Sequence, residues 1–104
     1  MQMNSYDFDL QITKTRGRRS KGGAWVIGAV NTRYRFDALV FADHAESEES
    51  ELAQSQISRL TVIDAETLEM VFNFDRGLDV AAANAETQAV VEFLCERLAN
   101  VIHG

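Results

Sequence analysis

Tyr6, Phe8, Leu10 and Ile12 alternate with Asp7, Asp9, Gln11 and Thr13, the period of a strand with one buried and one wet face. The alternation stops at Lys14-Thr15-Arg16-Gly17-Arg18-Arg19-Ser20-Lys21-Gly22-Gly23, where glycines and like charges favour an irregular hairpin connection. Ala24 to Val30 predicts a second strand, with Trp25, Ile27 and Ala29 on one face and Val26 and Val30 on the other. Apolar on both faces, it belongs in the middle of a sheet. Asn31-Thr32 allows a tight reversal into a third strand, Arg33 to Ala42. The apolar positions there change phase near Asp37-Ala38, which predicts a bulge.

Asp43 to Gln56 keeps no strand period and is expected to be mostly loop. Ile57 to Asp64 predicts a fourth strand, with Ile57 and Ile63 on one side and Leu60 and Val62 on the other. Asp64-Ala65-Glu66-Thr67 suits a hairpin turn, and Leu68, Met70, Phe72 and Phe74 then alternate with Glu69, Val71, Asn73 and Asp75 as a fifth strand. It ends at Arg76-Gly77, where the glycine is expected to take a positive φ. Val90, Val91, Leu94, Leu98, Val101 and Ile102 recur at three- and four-residue steps, the signature of an amphipathic helix. Asn84 is placed to cap its start, Glu86 to favour its dipole and Gly104 to cap its end. Phe93 and Cys95 fall at the edges of the buried stripe. The expected fold class is α+β: an antiparallel sheet of about five strands with one C-terminal helix packed on a face, over residues 1–104 as one domain.

Composition narrows the setting. The chain has 104 residues, 46% of them hydrophobic and 25% charged, as in an ordinary globular domain with a single core. The lone cysteine, Cys95, has no internal disulfide partner, which favours a reducing, cytoplasmic setting. No run approaches a membrane span and no apolar block opens the chain, so no membrane partner is expected. The net charge of -6 hides an asymmetry. Lys14, Arg16, Arg18, Arg19 and Lys21 form a basic cluster, while Asp43, Glu46, Glu48, Glu49 and Glu51 form an acidic one.

Candidate chemistry is sparse. Gly17 to Gly23 has the glycine spacing of a phosphate-binding loop, but Gly23 and Ala24 follow where Lys and Ser or Thr are required, and a strand replaces the helix. The basic cluster at Lys14, Arg16, Arg18, Arg19 and Lys21 can instead meet nucleic-acid phosphates, releasing counterions, with Tyr6, Trp25 and Tyr34 available to stack on bases. A solvated loop is the simpler account. His44 among acids lacks the spacing and the turn glycine of a calcium loop. Cys95 and His103 are too far apart along one helix to act as nucleophile and base. No catalytic residue, metal site or cofactor is assigned.

The densest string is Asn73-Phe74-Asp75-Arg76-Gly77-Leu78-Asp79, where Asp75 and Arg76 can pair at a strand end, with Arg59 beside them. Arg59, Asp75, Arg76 and Asp79 thus form either a hydrogen-bonded turn or the rim of a small-ligand pocket. Trp25-Val26-Ile27-Gly28-Ala29-Val30, Phe36-Asp37-Ala38-Leu39-Val40-Phe41, Ser55-Gln56-Ile57-Ser58-Arg59-Leu60 and Phe74-Asp75-Arg76-Gly77 together resemble a family of small uncharacterised domains from bacteria and their phages. The resemblance spans roughly residues 25–98 and implies a β-rich, helix-ended layout without an assigned activity. Members commonly carry an aromatic residue after the Asp-Arg-Gly turn and glycines before Ser-x-Ile-Ser. Here Leu78 and Glu48-Glu49-Ser50-Glu51 stand instead.

Three functions follow: a non-enzymatic interaction or accessory module with an unknown protein partner, nucleic-acid binding through residues 14–21, or a small pocket at the Asp-Arg-Gly turn. Self-association is also expected. One helix covers only one face of the sheet, yet strands two and four are apolar on both, and an exposed apolar face invites a second copy. The competing account is a lid formed by Ala45 to Gln56, with Leu52 and Ala53 turned inward.

Overall fold

The computed structural model describes residues 7–17, 23–47 and 50–104. Six strands, β1 (Leu10–Gly17), β2 (Gly23–Val30), β3 (Tyr34–Phe41), β4 (Ile57–Asp64), β5 (Met70–Asp75) and β6 (Leu78–Val80), precede one helix, α1 (Ala85–His103). The strands lie side by side in chain order, each antiparallel to the next. The architecture is therefore the expected α+β sheet and helix, with one strand more than the five expected. The sixth is a three-residue edge created when Gly77, at φ +152, reverses the chain.

The helix packs across β3, β4 and β5. Val26, Val30, Tyr34, Phe36, Leu60, Val62, Phe72 and Phe74 from the strands meet Val90, Val91, Leu94 and Leu98 in one core. Val90, Leu94 and Leu98 are completely buried, and each contributes about 1.5–3 kcal/mol through removal from water. Val101 points away and is exposed, so the apolar stripe ends one turn earlier than its spacing predicts. Asn84 caps the helix by accepting from the Thr87 amide at 2.8 Å, and the Gly104 amide donates to the Asn100 carbonyl at 3.0 Å.

Register corrects several strand readings. β1 runs on through Lys14, Thr15 and Arg16, which pair with Ile27, Val26 and Trp25; the expected irregular connection thus begins only after Gly17. Residues Arg18, Arg19 and Lys21 lie outside the described residues. β2 and β3 pair without interruption from Gly23 to Val30, so there is no bulge at Asp37-Ala38. The irregularity sits on the other side of β3, where Ser58 is the extra residue between Arg59 and Ile57. That shift turns Ile57 to the helix side with Leu60 and Val62, away from Ile63. In β5, Val71 is the extra residue between Met70 and Phe72, so Met70 joins Ile63 on the opposite face. Leu68 adopts φ 63 within the turn and is exposed; the clean alternation expected from Leu68 onwards begins only at Phe72.

The β2–β3 reversal is the tight one expected. Asn31 and Thr32 take φ 55 and 56, the hairpin geometry that matches strand twist, and the Arg33 amide donates to the Val30 carbonyl at 3.1 Å. Residues 42–47 and 50–56 form no strand and only a helical turn at Ser50. Leu52 packs on the core but Ala53 is exposed, so the segment closes one end of the sheet rather than covering a face.

Candidate interaction face

Because side chains alternate along a strand, fixing Val26, Phe36, Ala38 and Leu60 beneath the helix sends their neighbours to the other side. The rows on that side follow the register. Arg16, Trp25, Leu39, Arg59 and Asp75 lie across the sheet in one row, and Lys14, Ile27, Asp37, Thr61 and Asn73 in the next. Asp79 on β6 accepts from the Asn73 amide at 2.9 Å and so stands at the far edge of the same face. Among the described residues no element covers this face. Ile27 and Met70 are 43% and 47% exposed on it, and Trp25 is half-buried.

Two hollows adjoin along the face and share Trp25. The larger, about 680 Å³, is lined by Trp25, Leu39, Phe41, His44, Arg59 and Arg76 among others. The smaller, about 320 Å³, is lined by Lys14, Arg16, Trp25, Ile27 and Asp37. The guanidinium of Arg59 lies 5.4 Å from the Trp25 ring centroid and is held by Asp75 at 3.0 Å. Arg76 approaches the same carboxylate at 3.8 Å.

The wall of the larger hollow is built on Glu51. Its carboxylate accepts from the Ala45 amide at 2.6 Å and the Gln56 amide at 3.0 Å, and meets His44 Nδ1 at 2.6 Å. Burial pushes this carboxyl upward, but the bonds from His44 and the two amides outweigh it and hold the group below its usual range. Glu51 is thus a structural pin, not one more member of a solvated acidic run.

The four residues of the Asp-Arg-Gly region separate into two groups. Arg59, Asp75 and Arg76 converge, with both arginines at the hollow, whereas Asp79 is tied to Asn73 instead. Of the basic cluster, Lys14 and Arg16 stand on the open face beside Trp25. Cys95 lies on the helix side, where burial pushes its thiol up to about 11, and His103 Nε2 sits 3.0 Å from the Val40 carbonyl. Among the described residues, no three His, Cys, Asp or Glu side chains converge as metal ligands. No helix is long and apolar enough to cross a membrane.

Two ion-paired contacts away from this face were not visible in the sequence. Arg33 grips Asp64 with two bonds of 3.1 Å, which holds the Asp64 carboxyl below its usual range, together with the Glu66 amide. Tyr34 donates its hydroxyl to Glu86, joining the start of β3 to the first turn of the helix. Nothing in residue spacing marks either pair, since the partners are 31 and 52 positions apart.

Fold and surface together define a small α+β domain with a six-stranded antiparallel meander covered on one side only. The chain belongs to a family described as a domain of unknown function (DUF7678), whose model matches residues 24–99. No curated protein and no solved structure matches it.

Proposed function

We propose that this domain is a non-enzymatic interaction module that works through the open face of its sheet. The observation that carries the reading is the uncovered face itself, which presents Trp25, Ile27 and Met70 among charged side chains. Soluble domains rarely leave a contiguous apolar surface of this kind without a partner. The motif resemblance to bacterial and phage domains supports an accessory role in a phage or mobile element, and the unpaired cysteine supports a cytoplasmic setting. Against a small-molecule enzyme, both arginines at the larger hollow are already engaged by Asp75, and Asp43, Glu46 and Glu51 line the same space.

A photo-crosslinking residue placed at Ile27 and, separately, at Glu92 on the exposed side of the helix tests this reading in cells expressing the full chain. Adducts are expected from position 27 and not from position 92. Equal labelling from both, or none from either, overturns it, as does saturable conversion of a metabolite by the purified chain.

A further inference from the structure

We infer that the occupant of the open face is a second copy of this chain, laid across it on a twofold axis that runs along the strands. This rests on the reading that the open face is where the domain works, and it names the partner. The charge on the face is ordered from edge to edge. β1 contributes Lys14 and Arg16, neither of which has an ion-pair partner among the described residues. The opposite edge contributes Asp75 and Asp79, the latter met only by an uncharged amide. Between the edges lie Trp25, Ile27, Leu39 and Ile63.

Such an arrangement complements itself in only one of the two simple ways of stacking a sheet on its copy. An axis across the strands lays β1 over β1 and opposes like charges. An axis along the strands reverses the strand order, lays β1 over β6 and β2 over β5, and sets Lys14 and Arg16 above the acidic edge of the other copy. The apolar middle then meets itself, as in aligned sheet packing, and each copy presents the same patch, as a twofold interface requires.

Size agrees. Six strands of up to eight residues span about 24 Å by 26 Å at the usual strand spacing and rise, so both copies together bury roughly 1,200 Å², within the range of specific protein interfaces. The charge balance also separates this partner from a polyanion. The chain as a whole carries -6, whereas this face sets Lys14, Arg16, Arg35 and Arg59 against Asp37, Asp75 and Asp79. Three carboxylates on the face repel phosphates, while near-neutrality lets a copy approach.

Sedimentation equilibrium from micromolar to millimolar loading tests the proposal on the full chain. The expected mass rises from 11.6 kDa towards twice that value. Ile27→Glu in the apolar middle should weaken association at least tenfold, as should Lys14→Glu/Arg16→Glu at one edge or Asp79→Lys at the other. Mixing the two edge variants should restore association, because each then meets its complement, and the chain carrying all three substitutions should self-associate again. Circular dichroism and urea midpoints identify any variant that fails to fold, and the restored mixture supports the proposal independently of such a loss. A mass fixed at 11.6 kDa up to millimolar loading overturns it, as does a dimer indifferent to Ile27→Glu and to both edges. The crosslinker at position 27 separates the two levels. An adduct of other than chain mass sinks the second copy and leaves the interaction module standing, whereas no adduct sinks both.

Discussion

Arg59 stretches over Leu39 to reach Trp25. In the register Leu39 lies between them, yet the guanidinium stands 5.4 Å from the indole centroid, and Leu39 is only 7% exposed on a face that no other element covers. Asp75 holds the arginine in this pose with contacts of 3.0 and 3.1 Å. Trp25 is the only tryptophan of the chain, so its fluorescence reports on this stack alone. Arg59→Ala should raise acrylamide quenching of Trp25 at dilute loading and cost about 0.5–1 kcal/mol in urea unfolding, the usual worth of an exposed cation–π contact. Unchanged quenching would mean that Arg59 does not shield the ring.

Tyr34 and Glu86 predict a limit on stability at high pH. Burial, together with the hydrogen bond to the Glu86 carboxylate, pushes the Tyr34 hydroxyl up to about 12. The unfolded chain releases this proton near pH 10, so between those values the folded state binds more protons and stability falls as pH rises. Urea midpoints should therefore decline from about pH 10, and Tyr34→Phe should flatten that decline while lowering stability at neutral pH. A slope identical in the two chains would remove Tyr34 as its cause.

Gly28 is required by a close approach rather than by its φ. A Cβ there would lie 2.2 Å from the Gln11 carbonyl oxygen and 2.8 Å from Phe36 Cζ, pressing against the backbone of β1 and a core ring together. Gly28→Ala should cost about 1–3 kcal/mol, as overpacked interiors do, and should raise amide exchange along β1. At Gly17 an added Cβ meets nothing within 4 Å, so Gly17→Ala should stay within about 0.5 kcal/mol of the parent. Thermal melts of the two variants check the contrast.

Periodicity made the helix and the central strands legible, because Val90, Leu94 and Leu98, like Val26 and Val30, face one core at regular steps. It failed where an extra residue changes the phase without changing composition. Ser58 and Val71 carry no mark of a bulge, yet they decide which side Ile57 and Met70 face. β1 was cut short for a different reason. Lys14 and Arg16 look like loop residues by charge, but an edge strand on an open face tolerates charge and discourages unwanted pairing. Of the candidate site, Arg59, Asp75 and Arg76 were legible as neighbours at a strand end. The stack on Trp25 was not, since it depends on the register of two intervening strand pairs.

Glu51 was hidden for a third reason: by residue type it is the same as Glu46, Glu48 and Glu49, and only the folded backbone singles it out. The Ala45 and Gln56 amides both point at its carboxylate, and His44 closes the third side. Glu51→Gln keeps the shape but replaces one acceptor oxygen with a donor, setting N–H against N–H. The expected loss is about 1–3 kcal/mol, with faster exchange of the Ala45 and Gln56 amides than elsewhere in the sheet. His44→Ala should cost less, because both amide bonds survive it. The folded Glu51 carboxyl lies below its usual range, so its contribution is fully present above the unfolded value near 4.3 and is lost as pH falls through the folded value. Urea midpoints between about pH 2.5 and 7 should converge for the parent and Glu51→Gln at the acid end. A constant gap across that range would show that the charge on Glu51 is not what pins the wall of the hollow.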